Sequence, residues 1–147
     1  MINMLIGLIY QVLYSYFATV FFAYIFNAPK NSILIIGVNG SLGWLIYSYF
    51  YSVYHSGIFR SFIGALTVAI LSELFARWFK MPATIFLTAG IIPLVPGAGL
   101  YYTMLELIQK NYSDAVNKGI ETVFIAGSIS IAIAISSSIF NKQINKT

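Results

Sequence analysis

The sequence has 147 residues, of which 59% are hydrophobic and only 8% are charged, and its mean hydropathy is +0.84. A soluble domain carries about 25% charged residues, so this chain could not cover a surface that faces water. The net charge is +4, but the basic residues are scattered and form no run, which excludes a nucleic-acid-binding patch. We therefore expect membrane lipid as a partner and no nucleic acid.

The residues that usually carry catalysis or bind metals are scarce. The chain has no cysteine and a single histidine, His55, which excludes thiolate chemistry and leaves too few nitrogen and sulfur ligands for a zinc-type site. The motifs of zinc hydrolases, serine hydrolases and phosphate-binding loops are missing from the sequence. We predict that the protein is not an enzyme and has no catalytic residues, no metal and no cofactor.

Five apolar stretches of roughly 20 residues make up most of the chain, and each is long enough to cross a hydrocarbon core of about 30 Å. The first stretch lacks the basic start of a signal peptide, so we expect it to be retained. The sequence predicts an all-α integral membrane protein, a bundle of about five transmembrane helices forming one domain over residues 1–147. The predicted helices are about 4–26, 32–53, 59–79, 83–108 and 117–140, and the last of them could begin as early as Ser113.

The second predicted helix is rich in small residues, which allow a neighbouring backbone to approach closely. Asn39 lies among them and could either hydrogen-bond across helices or line a pathway. After five crossings, more basic residues would lie on the side of the C-terminus than on the other side. This charge bias favours an external N-terminus and an internal C-terminus.

The fourth predicted helix is interrupted by Pro93, Pro96, Gly97 and Gly99. Proline cannot donate the helical hydrogen bond, and glycine permits backbone conformations that other residues avoid. We expect the helix to break near the middle of the membrane, where unwound backbone is tolerated only if it is buried in protein or lines a cavity. Broken helices of this kind form the substrate sites of transporters. A packing kink is the alternative, but it needs fewer prolines and glycines than this segment has.

Tyr101 follows the break by one helical turn, so it could face the cavity or anchor the helix at the membrane surface. The predicted substrate-binding residues are Pro93, Pro96, Gly97, Gly99, Tyr101 and Asn39. Glu73 in the third helix is a candidate for proton coupling, because an acidic group inside a membrane is costly and often functional. Arg77, four residues later, could act with Glu73 in coupling or form a structural salt bridge with it.

The segment from Lys80 to Phe86 (KMPATIF), followed by Gly90 to Gly97 (GIIPLVPG), resembles the C-terminal half of the threonine/serine exporter family. The resemblance is to the small-subunit type, in which that half is a separate chain. It implies an exporter in the cell membrane for threonine, serine or related carboxylates such as succinate. It also implies a second membrane chain that supplies a complementary five-helix half. From the residues alone, a homo-oligomer and a structural or regulatory subunit that does not transport remain open.

Overall fold

The computed structural model describes residues 2–51 and 56–144, with side chains described over 6–51 and 56–140. All regular elements within these ranges are helical, which confirms the all-α prediction. The elements are α1 (Ile2–Ile25), α2 (Ile33–Tyr51), α3 (Gly57–Phe79), α4 (Ala83–Gly90), a 3-10 turn (Ile92–Leu94), α5 (Gly97–Ile108) and α6 (Tyr112–Ile144). His55 and the last two residues of the second predicted helix lie outside the described residues.

The outer surface of the bundle is apolar. Large side chains such as Trp78, Ile108 and Tyr14 are 81%, 76% and 71% exposed, and a soluble monomer rarely exposes a continuous apolar surface. Among the described residues, four helices are long and apolar enough to cross a membrane, and α4 with α5 forms a further candidate span bent by 48°. The fold is that of a multi-pass membrane bundle.

The directions of α3 and α6 show that α4 and α5 together cross the bundle between them. Gly57, the first residue of α3, lies beside Ile125 and Glu121 of α6. Near the other end of α3, Arg77 donates to the carbonyl oxygen of Phe140 in α6 (3.4 Å). The two helices are therefore parallel, so the chain between them must return across the bundle. The bent pair α4 and α5 makes this return, and if it counts as one broken span, the candidate spans number five, as the sequence predicts.

Helices α2 and α3 cross with their backbones almost in contact. A Cβ added at Gly64 would lie 3.2 Å from the carbonyl oxygen of Gly43, and a Cβ at Gly43 would collide with the Val68 side chain. Without a hydrophobic effect between helices in lipid, such close packing is a main source of helix association. The small residues that the sequence places in α2 are thus its packing face.

The last helix begins at Tyr112, one residue before Ser113, the earlier of the two starts that the sequence allows. The polar stretch before residue 117 is helical, and its charges have partners. Lys118 forms an ion pair with Glu106 of α5 (2.6 Å), and Asp114 lies in the first turn of α6, where a negative charge is favourable. This early start lets the first turns of α6 pack along α5.

Candidate functional site

The predicted break in the fourth helix is present, and the two prolines account for its position. Helix α4 ends at Gly90, and α5 begins at Gly97, directly after Pro96. Val95 is extended, with φ −63° and ψ 130°, because a residue before proline is kept out of the helical region. The chain therefore leaves the helical path before Pro96 and resumes it at Gly97.

The break lies level with the middle of the bundle. Leu94 packs beside Gly43 and Gly64, where α2 and α3 cross, and its side chain is 4% exposed. Its neighbours in the core are drawn from α3 and α6: Ala65, Val68, Ile129 and Ala132. Gly43 is close to the midpoint of α2, so the irregular backbone is at mid-depth, as the sequence predicts.

An open cleft of about 320 Å³ lies beside the break. This volume is at the lower end of the range for small-molecule pockets, about 300–1,000 Å³. Pro93 forms one wall, and the other lining residues come from α1 and α2: Gln11, Tyr14, Ser15, Ala18 and Trp44. Of the predicted substrate-binding residues, Pro93 is the one that lines this cleft.

The lining of the cleft is mostly apolar, with a few polar groups at its wall. Ser48 donates to the side-chain oxygen of Gln11 (3.4 Å), and Ser15 donates to the carbonyl oxygen of Gly40 (3.3 Å). The indole nitrogen of Trp44 is buried and has no hydrogen-bond partner in the described part of the chain. An apolar pocket with a few polar groups is the usual composition of a small-molecule site.

Sequence reasoning did not select the cleft residues of α1 and α2. Gln11 and Ser15 are polar positions on the otherwise apolar first helix, and this was the available signal. Their role depends on α1 lying against the break, and this packing could not be read from the sequence. The structure therefore adds α1 to the candidate site.

Asn39 lies behind the break and joins three helices. It is fully buried, and its amide nitrogen donates to the hydroxyl of Ser72 in α3 (2.8 Å) and to the carbonyl of Phe86 in α4 (3.2 Å). Ser72 in turn donates to the carbonyl of Val68 (2.7 Å). The Asn39 side-chain oxygen is buried without a partner among the described residues. The contacts fit the packing interpretation of Asn39, which does not line the cleft.

Replacing Asn39 with alanine is expected to lower the free energy of unfolding by about 1–2 kcal/mol, because two buried hydrogen bonds are lost. Asn39→Asp should cost more, because a carboxylate oxygen would then face the Phe86 carbonyl. Unfolding of the purified protein by SDS titration measures both changes. Ser130→Ala is the matched control, since Ser130 is exposed and bonds only within α6. Equal stability of Asn39→Ala and this control would contradict the prediction.

The glycines after the break do not act as predicted. In the described chain no glycine has a positive φ, so Gly97 and Gly99 do not adopt conformations closed to other residues. Gly99 instead allows close approach to Thr122 of α6, whereas a Cβ at Gly97 would meet nothing within 4 Å. The space around Gly97 is therefore open to a ligand or to a partner chain.

Tyr101 lies away from the cleft. It is 64% exposed on α5, a helix that packs against α6 and against no other described helix. Its ring contacts that of Tyr102, with the centroids 5.4 Å apart. The anchoring interpretation of Tyr101 fits this position better than cavity lining within a single chain.

Glu73 and Arg77 lie in the half of α3 that is remote from the cleft. Glu73 is half-buried. Arg77 reaches the end of α6, where its guanidinium lies 4.9 Å from the centre of the Phe140 ring. The salt bridge between Glu73 and Arg77 is not formed; within the described residues the ion pair is Glu106 with Lys118. The Arg77 side chain is drawn to α6 because a carbonyl and an aromatic face are available there.

The bundle has four candidate spans and a fifth that is broken at mid-depth beside a cleft, and broken spans of this kind occur in membrane transporters. The model of the family described as "Threonine/Serine exporter, ThrE" matches residues 11–139. The chain belongs to this family of exporters, and it is a multi-pass protein of the cell membrane. The family expected from the resemblance is thus confirmed.

A relative from Haemophilus influenzae, described as an uncharacterized protein, is 24% identical over 147 aligned positions. The alignment covers 95% of this chain and 50% of that protein, so the chain spans about half the length of this relative. No solved structure matches the chain significantly.

Proposed function

We propose that this chain is one subunit of an exporter for threonine and serine, or for related carboxylates such as succinate, and that the proton-motive force drives export. The break beside the cleft is the observation that carries the proposal. An apolar pocket lies beside Pro93, and α5 begins four residues later. The Gly97 amide donates to the Val95 carbonyl oxygen (2.8 Å), and the next amides of α5 have no preceding helical turn to bond. A carboxylate, which all these solutes share, is favoured at such a helix end.

A second membrane chain would complete the transporter. The Haemophilus relative is about twice as long as this chain, which supports a partner that supplies a complementary five-helix half; a homo-oligomer is the alternative. Helix α5 also supports a partner, because its apolar side chains are exposed and it packs on α6 alone. Leu100, Met104 and Ile108 are 57%, 58% and 76% exposed on this helix.

The competing function is a structural or regulatory subunit that does not transport. Such a subunit would need the packing face of α2 and the exposed surface of α5. It would have no use for an open cleft beside unwound backbone at mid-depth. The two functions therefore differ in whether the break matters for transport.

Efflux of labelled threonine and succinate tests the proposal in cells that make this chain alone, with its candidate partner, or as Pro96→Ala with that partner. We expect efflux only when the partner is present. In Pro96→Ala the efflux rate should fall at least tenfold, which corresponds to about 1.4 kcal/mol. Without Pro96, Val95 can become helical and the backbone at the break can close.

Pro82→Ala is the matched control, because Pro82 precedes the first turn of α4, where proline is dispensable. Its efflux should equal that of the natural chain. If Pro96→Ala inserts normally and exports at the natural rate, the site is not at the break. Absence of efflux of both solutes in all combinations would favour the structural subunit.

A further inference from the structure

The two halves of the broken span have different neighbours. Helix α4 packs on α1, α2 and α3, whereas α5 packs on α6 alone, because the chain bends by 48° between α4 and α5. The core around α4 includes Ala23 and Ile36, which lie near the turn between α1 and α2. On the other side of the break, the surface of α1 and α2 is therefore left without the helix that a straight span would place there.

The open cleft is part of this uncovered surface. Gln11, Tyr14 and Trp44 line the cleft, and the hydrogen bond from Ser48 to Gln11 lies in the half of α1 and α2 that is remote from their turn. A straight continuation of α4 over the length of α5 would cover about 18 Å of this surface. Because the axes of packed helices are about 8–10 Å apart, the groove that α5 leaves has room for one helix.

A polar side chain in this groove is unsuited to contact with lipid. Gln11 is exposed and lies about 7 Å along the helix axis from the middle of the apolar span Ile6–Ile25. It is therefore inside a hydrocarbon core of about 30 Å. Its amide oxygen accepts a hydrogen bond from Ser48 (3.4 Å), but its amide nitrogen has no acceptor among the described residues. An amide group without a partner is costly in hydrocarbon.

The start of α5 is a second polar feature that needs a cover. Gly97 and Ala98 are exposed, and a Cβ at Gly97 would meet nothing within 4 Å. The amides that follow Gly97 have no preceding helical turn to bond. Irregular backbone at mid-depth is tolerated only where it is buried in protein or lines a water-filled cavity. A further protein surface along the groove would cover both the start of α5 and Gln11.

We propose that one transmembrane helix of the second chain lies in this groove, against α1 and the break, so that the solute pathway runs between the two chains. This helix would carry an amide or hydroxyl side chain opposite Gln11, because such groups form hydrogen bonds across membrane helices. Half of the Haemophilus relative lies outside the part that matches this chain, which is long enough to supply the helix. The inference rests on the proposed two-chain exporter and adds the place where the partner binds.

Photocrosslinking in membranes tests this placement, with p-benzoylphenylalanine in place of Tyr14. The tagged partner is the membrane chain that resembles the unmatched half of the Haemophilus relative. Tyr14 lines the cleft and is 71% exposed, so this position should crosslink to the partner. Phe124 is the matched control, because it is also an exposed aromatic residue of a membrane helix. It lies two residues after Thr122, which faces Gly99 of α5, and is therefore on the far side of α6; this position should give no adduct.

The affinity of the two chains tests the role of Gln11. Gln11→Leu should raise the dissociation constant of the purified complex in detergent about tenfold or more, because leucine cannot bond to a polar group of the partner. Gln11→Asn keeps the amide and should weaken the complex less. Ser130→Ala is the control for loss of an exposed polar group, since Ser130 bonds only within α6, and its complex should be as stable as the natural one.

The outcomes separate this inference from the proposed function. If the two chains export together but the partner crosslinks to position 124 and not to position 14, the inference is wrong and the exporter function stands. An adduct of position 14 with a second copy of this chain would assign the groove to that copy and also overturn the inference. Efflux without any protein adduct at position 14 would leave the groove to water or lipid, with the same consequence. Absence of both the complex and efflux would overturn the inference together with the exporter function.

Discussion

Replacing Gly43 with leucine is expected to lower the free energy of unfolding by about 3 kcal/mol or more, the upper range for an overpacked core. Already the first carbon of a side chain at Gly43 would collide with Val68, and it would lie 3.4 Å from the carbonyl oxygen of Gly64 and 3.5 Å from Leu94. Because Leu94 belongs to the turn at the break, the substitution would force α2, α3 and the break apart together. SDS titration of the purified protein measures the change.

Gly127→Leu provides the matched control for Gly43→Leu. Gly127 is also a glycine within a membrane helix, but it is exposed on α6, and a Cβ there would meet nothing within 4 Å. The control should therefore be at least as stable as the natural chain, because leucine raises the helix propensity at this position and meets no neighbouring atom. Similar destabilisation of the two variants would show that the cost arises from losing glycine, and not from the contact between α2 and α3.

The fold was largely predictable because the membrane restricts the choice of structure. A chain this apolar must satisfy its backbone hydrogen bonds internally, so long apolar stretches become helices. The prolines at 93 and 96 also located the break, because their effect on the backbone is local. The sequence left the start of α6 open between about residue 113 and about residue 117, because the pairing of Lys118 with Glu106 on another helix depends on tertiary structure.

The candidate site was less predictable, since it is assembled from distant parts of the chain. Pro93 could be identified from its local effect, but Gln11 and Trp44 contribute only because α1 and α2 pack against the break. A residue that acts on its own stretch of backbone, such as a proline, can be recognised from the sequence. Residues that form a site only together can be recognised only when the packing of the helices is known.

The two charged regions of α3 suggest a division of roles along one helix. Arg60 lies over the Tyr47 and Tyr51 rings of α2, whereas Glu73 lies more than three turns further along α3, beyond the buried Ser72 that accepts a hydrogen bond from Asn39. Proton coupling needs an ionisable group whose charge differs between steps of the transport cycle. Glu73 is suited to this role because it is half-buried and does not form the salt bridge with Arg77 that would hold its charge constant.

Glu73→Gln is expected to abolish the response of threonine export to a proton gradient, while exchange of threonine down its own gradient continues. Glutamine resembles the protonated carboxyl group but cannot release a proton, so conformational change would no longer be linked to proton movement. In proteoliposomes that contain the complete transporter, an imposed proton gradient should stimulate the natural protein at least tenfold more than the variant, about 1.4 kcal/mol of coupling.

Asp114→Asn is the control for this loss of a negative charge, because Asp114 is exposed at the start of α6, and it should respond to the gradient like the natural protein. Stimulation of Glu73→Gln at the natural level, with normal insertion into the membrane, would exclude Glu73 as the coupling residue. Loss of both gradient-driven export and exchange would instead indicate that Glu73 contacts the substrate or stabilises the fold. Coupling through Glu73 requires that the variant lose its response to the proton gradient and keep exchange. Only this outcome shows that the carboxyl group acts by changing its protonation.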